Sequence, residues 1–294
     1  MNNKVLTALL SAAESQRNEE KLQDDLSVFF RRLEKDVLEN LEKYWSDYLL
    51  VGQLDIILAP IQDSLEDYQK ILENYNNKEY KLGIGEAERL VNHMNEQMAS
   101  KAVKIPTLNI TREEDLFATL AGAREDLLQR VFTASIATLA RVDDTIKKVI
   151  LEGYESGLGI AYVRDMIQER FTQLRTWEAQ RIARTEIHNA HNKAVMDTYN
   201  EIGVQYTQWS TGADDGRVRP SHLELDGEII RVGETYSNGL AYPGDTSGAI
   251  EEWINCRCAN APYVILPGYM APPFSPFREE DLIEITTEPY KEGV

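Results

Sequence analysis

The side chains best suited to chemistry lie in the last third of the sequence. His222, Cys256 and Cys258 form a thiol–imidazole set, and thiolate and imidazole suit zinc. A fourth ligand would come from His188, His191 or an aspartate. The CxxC pairs usual in zinc modules are absent, so two buried thiols beside a hydrogen-bonded histidine are the competing reading. Asp226, Asp245, Glu251 and Glu252 add carboxylates, with Asp214, Asp215, Arg217, Arg219 and Arg257 nearby. The enzymatic option is a metal-dependent hydrolase, nuclease or peptidase, built on His222, Asp226, Cys256 and Cys258. The sequence offers no identifiable oxyanion donor or orienting group for a nucleophilic Cys–His pair, so no catalytic residue is assigned. A disulfide across one intervening residue would be strained, which removes that role for Cys256 and Cys258.

Proline and glycine show which elements must position these groups. No proline separates Pro106 from Pro220, eight of the 17 glycines fall between Gly203 and Gly248, and six of the ten prolines follow residue 260. Both residues punctuate helices. The chain therefore reads as mainly α: a long-helix bundle, then a small irregular α+β module, then an extended tail. Segments 1–105, 106–203, 204–266 and 267–294 are the expected divisions.

Leu22, Leu26, Phe29, Leu33, Val37, Leu41, Tyr44 and Tyr48 recur at three and four, the period of one helix face. Ile61, Leu65, Tyr68, Leu72 and Tyr75 repeat it after Pro60, which is read as the first turn of a new helix. Segments 76–85 and 101–109 read as connections, with a helix over 85–99 between them. Asn109 or Thr111 is a candidate N-cap for the next helical stretch, which ends at the Ser156-Gly157-Leu158-Gly159 break. Helices over about 161–171 and 174–202 follow, the second stopped by Gly203. On it, Ala179, Ala183, Ile187, Ala190 and Ala194 form a stripe of mostly small residues that admits a close neighbour. Arg181, Arg184, His188 and His191 line a polar row beside it. Val204 to Trp209 alternates like a strand, Asp215-Gly216 and Asp226-Gly227 signal hairpins, Tyr242-Pro243-Gly244-Asp245 is a turn, and 259–266 returns as a final strand.

Composition narrows the function classes. The 31 Lys and Arg against 49 Asp and Glu give a net charge of −18. DNA affinity rests on neutralising phosphates, so strong direct nucleic-acid binding is not expected. Such a surface suits a basic partner. No apolar run is long enough for a membrane span, and the N-terminus lacks the basic start and long apolar core of a secretory signal. A cytosolic origin is the expectation.

One ordered series of motifs carries a resemblance. Ile182-Ala183-Arg184-Thr185-Glu186 is followed by Trp209, by Asp214-Asp215-Gly216-Arg217-Val218-Arg219-Pro220-Ser221-His222, and by Leu225-Asp226-Gly227. Tyr242-Pro243-Gly244-Asp245 and Glu252-Trp253-Ile254-Asn255-Cys256-Arg257-Cys258 complete it. From about residue 130 to 265 this order resembles the head-morphogenesis domain of tailed-phage minor head proteins, the Mu protein F-like family. Val218 departs from the threonine often found in the family's Asp-Arg element. The resemblance implies a structural virion component, assembled in the host cytoplasm, that associates with the portal and acts in head assembly and DNA packaging or ejection. Major capsid or scaffold protein is a further implied partner; no cofactor is expected beyond the zinc option at His222, Cys256 and Cys258, where some members of the family carry a zinc-knuckle-like arrangement that this sequence half retains. Arg184, Glu186, Asp215, Arg217, Arg219, His222, Asp226, Asp245, Asn255, Cys256, Arg257 and Cys258 are then expected to hold the small module together and against the long helix. The region before residue 105 carries no family motif but is rich in aromatics (Phe29, Tyr44, Trp45, Tyr48, Tyr68, Tyr75), so it is the expected partner surface, with intramolecular core as the alternative.

Overall fold

A computed structural model of the chain describes residues 3–46, 51–100, 113–212 and 216–285. Tyr48, the 101–109 connection, the cap at Asn109 or Thr111, and Asp214 and Asp215 lie outside the described residues. Long helices dominate: α1 (Asn3–Tyr44), α2 (Val51–Asp63), α3 (Leu65–Ser100), α4 (Glu113–Thr119), α5 (Ala121–Glu155), α6 (Ile160–Gln173) and α7 (Ala179–Ile202). A π-helical turn (Leu174–Glu178) joins α6 to α7. The chain forms two compact units, residues 1–79 with 122–187, and residues 80–121 with 188–294.

The first unit is helical. Leu22, Leu26, Phe30, Val37 and Leu41 of α1 are buried with Ile57 and Ile61 of α2, Tyr68 and Leu72 of α3, and Val131, Ile146 and Ile150 of α5. The three-and-four spacing of the α1 series places it on one buried stripe. Phe29 and Tyr68 meet at 5.2 Å between ring centroids, and both are core. Tyr75 is also buried and its hydroxyl donates to Asp25 at 2.8 Å. The aromatics expected at a partner surface are thus largely turned inward here. Pro60 lies in the last turns of α2, and α3 begins at Leu65. This corrects the placement of Pro60 at a helix start. α5 stops where the glycines predict: Gly157 has φ +65° and the Leu158 N–H closes back on the Gly153 carbonyl at 2.8 Å.

The second unit contains the remainder of α3 and α7 with the small module. Segment 76–85, expected as a connection, is continuous α-helix. Tyr80, Ile84, Ala87 and Val91 prolong the buried stripe, and the two glycines do not break it. Gly83 serves packing instead: a Cβ there would sit 2.5 Å from the His191 carbonyl oxygen and 2.8 Å from the Ala194 Cβ. The small-residue stripe of α7 therefore does admit a close neighbour, and that neighbour is α3. Gly203, at φ +82°, ends α7 with the Val204 N–H bonded to the Tyr199 carbonyl at 2.9 Å.

Three antiparallel strands follow in the order β2-β1-β3: β1 (Tyr206–Ser210), β2 (Ile229–Arg231) and β3 (Ala259–Tyr263). Gln208 pairs with Ile229 and with Ala261. Asp226-Gly227 does not make a two-residue hairpin. Its turn leads into β2 after an excursion holding the short helix α8 (Pro220–Leu223), and the Gly227 N–H bonds the Trp209 carbonyl at 3.0 Å. Helix α9 (Ile250–Trp253) precedes β3. The segment expected as an extended tail is extended but paired. β4 (Tyr269–Met270) pairs with β5 (Ile283–Glu284), and buried Phe277 bridges to Ile229.

Candidate functional site

The core of the module is built from Trp209, Leu225, Ile230, Tyr236, Leu240, Cys256 and Cys258. Three loops converge there. α8 begins with proline at its first position, which pre-sets φ for a helical turn, and its His222 points inward at 1% exposure. Arg219, just before α8, donates to the carbonyls of Glu252 (2.9 Å) and Ile254, fixing the segment that leads to the cysteines. Asn255 has φ +54°, a left-handed conformation that asparagine tolerates better than most residues. That turn sends Cys256 and Cys258 into the interior on either side of exposed Arg257. Both are free thiols, at 3% and 1% exposure.

The cysteine sulfurs share one nitrogen. Nδ1 of His222 is 3.7 Å from Cys256 Sγ and 3.4 Å from Cys258 Sγ. The three atoms lie within 4.8 Å of one another. On the other side of the ring, Nε2 is 3.1 Å from Glu252 Oε2. That carboxylate receives a further hydrogen bond from Asn238 (3.3 Å). The Trp209 ring stands edge-on to the imidazole at 5.2 Å. Cys256 is held far below the ordinary thiol range, first by a hydrogen bond from Cys258 and then by His188 and His222, against the opposing effect of burial. Cys258, bonded to that sulfur and buried, is pushed up.

α7 supplies the next layer. His188 helps to hold Cys256 below the ordinary thiol range, and its Nε2 lies 2.8 Å from Asn192 Nδ2. Asn192 also donates to the Cys258 carbonyl at 3.1 Å. Asn189 donates to the Gly244 carbonyl. Gly244, at φ +90°, leaves only 3.3 Å between a hypothetical Cβ and the His188 ring, so the Pro-Gly-Asp turn needs its glycine twice over. Asp245 completes that turn by accepting from the N–H groups of Ala241 (3.0 Å) and Ser247 (2.9 Å). His191 faces Glu86 at 3.5 Å.

The expected site residues thus separate into groups. His222, Cys256 and Cys258 converge; Arg219, Asn255 and Asp245 shape the loops that present them. Asp226 is elsewhere, accepting from the N–H and hydroxyl of Thr211 at 2.8 and 2.9 Å. Arg184 and Glu186 bond within the helical unit, Arg184 to Glu19 at 3.1 Å and Glu186 to Arg130 at 2.6 Å. Arg217 and Arg257 are exposed. The motif reading missed Asn189 and Asn192; the position of Asn192 one turn after His188 in the polar row was the available signal.

Residues 144–261 match the family model described as Phage Mu protein F like protein. The chain is 24% identical over 255 residues to Minor head protein GP7 of Bacillus phage SPP1, an alignment covering 79% of this chain and 78% of that one. It is 20% identical over 285 residues to the uncharacterized protein YqbB of Bacillus subtilis (strain 168), covering 83% and 91%. No solved structure matches. The matched span contains α7, β1, α8 and both cysteines, so the similarity to Phage Mu protein F like protein takes in the whole of the candidate site.

Proposed function

We propose that the protein is a structural minor head protein of a tailed phage or prophage, assembled into the virion in the host cytoplasm through contact with the portal. In this reading it acts in head assembly and in DNA packaging or delivery, and catalyses no reaction. The observation that carries the proposal is the extent of the SPP1 alignment, which takes in 79% of this chain and so includes helices outside the family-matched span. Three features support it. The net charge of −18 disfavours adhesion to packaged DNA. No described helix is long and apolar enough to cross a membrane. The hydrolase alternative loses one of its four residues, because Asp226 is engaged by Thr211 rather than by the thiol–imidazole cluster.

Co-expression of the full chain with its cognate portal protein tests the proposal. Co-purification of the two through size exclusion is expected. Failure to associate, together with nuclease or peptidase turnover lost on His222→Ala, would overturn it in favour of the enzyme.

A further inference from the structure

The thiol–imidazole cluster gathers three potential metal ligands on one point. Glu252 beside Nε2 of His222 requires that nitrogen to carry the proton, which leaves Nδ1 with one lone pair. Two sulfurs converge on that lone pair, at 3.7 and 3.4 Å. A single acceptor can take one thiol proton in line, so the two contacts cannot both be hydrogen bonds to Nδ1.

A cation at the centre satisfies all three atoms. In a tetrahedral zinc site, bonds of about 2.3 Å to sulfur and about 2.0–2.1 Å to nitrogen place sulfur and nitrogen roughly 3.6 Å apart. The two observed separations bracket that value. Two thiolates also cancel the charge of a divalent ion, which a site this deeply buried requires. The imidazole is oriented by a carboxylate that Asn238 itself holds, the outer-shell arrangement that fixes a metal-bound histidine's tautomer.

We infer that His222 Nδ1, Cys256 Sγ and Cys258 Sγ bind one zinc ion. Binding displaces the thiol protons to solvent and joins α8 to the strand-entry segment 254–258 at one point. The module core comprises few large side chains, so such a cross-link supplies cohesion that packing alone does not. The inference rests on side-chain geometry and is independent of the head-protein reading.

The test is metal content of the full-length chain, purified under reducing conditions and dialysed against a weak chelator, with zinc measured by plasma mass spectrometry. About one zinc per chain is expected. His222→Ala, Cys256→Ser and Cys258→Ser are each expected to lose it, and His222→Cys to keep it by substituting thiolate for imidazole. Because a serine variant can fail to fold, the unaltered protein is also stripped and titrated with cobalt(II). A thiolate-to-cobalt charge-transfer band and intense tetrahedral visible bands are expected. A folded, fully reduced chain that holds no zinc and gives no such band overturns the site. Zinc that survives loss of both cysteines does the same. Portal association is a separate readout, so loss of zinc and failure of the head-protein reading are distinguishable.

Discussion

Gly83→Ala pits helix propensity against packing, and the structure decides the sign. Within a helix, replacing glycine by alanine is favourable by about 1 kcal/mol because the unfolded chain loses freedom. At Gly83 the added Cβ falls 2.5 Å from the His191 carbonyl oxygen and 2.8 Å from the Ala194 Cβ, short of an ordinary 3.4 Å contact by 0.9 and 0.6 Å. Neither obstacle can rotate away, since one is backbone and the other a Cβ. The crossing of α3 and α7 must open, and overpacking of this kind costs about 1–3 kcal/mol beyond the offsetting propensity gain. A net loss of roughly 1–3 kcal/mol is expected, or about 2–4 °C in Tm for each kcal/mol lost. Gly122→Ala is the control, because nothing lies within 4 Å of a Cβ at that helical position. Thermal and urea denaturation followed by circular dichroism measure both. If Gly83→Ala gains stability alongside Gly122→Ala, the close approach described for α3 and α7 is wrong.

Other perturbations probe the rest of the molecule. Arg130 and Glu186 form a two-pronged pair at 2.6 and 3.2 Å, with side chains only 19% and 8% exposed; Glu186→Ala should cost about 3–5 kcal/mol in urea denaturation by stranding the guanidinium, whereas Arg130→Met with Glu186→Met should recover most of it. Tyr75 is pushed up to about 12 by burial and by its bond to Asp25. Its unfolded form ionises from about pH 10 while the native form keeps its proton, so stability should fall from about pH 10 to 12, and Tyr75→Phe should make the Tm–pH slope in that window shallower. Asp226→Ala should lower stability by about 1–3 kcal/mol through the two donors left on Thr211, yet leave metal content unchanged; loss of zinc in that variant would place Asp226 in the cluster after all.

The helices were legible wherever the apolar period was the only local signal. In α1 the run from Leu22 to Leu41 is both the pattern and the buried stripe. The reading failed where a residue's local meaning competed with a distant one. Gly83 and Gly85 look like breakers to a window of ten residues, but Gly83 is small because His191 and Ala194 lie against it. That reason comes from another helix, far along the chain. Asp226-Gly227 carries a genuine turn, with Gly227 at φ +80°, but the strand it leads into pairs with β1 across a long excursion. Loop length, not turn chemistry, set that topology.

The site shows the same division. The identity of the groups was readable, since His222, Cys256 and Cys258 are rare types in a chain with four histidines and two cysteines. Their convergence was not, because it depends on three conformations that sequence spacing does not encode: the left-handed turn at Asn255, the Arg219 bonds to the 252–254 carbonyls, and the tight seat of Gly244 over His188. Each of these lies in a motif segment, yet none supplies a candidate ligand atom. The family-like motif is therefore mostly scaffold. Arg219, Asn255, Gly244 and Asp245 direct the backbone, and only His222 and the two cysteines, with His188 ahead of them on α7, face the point at which the loops meet.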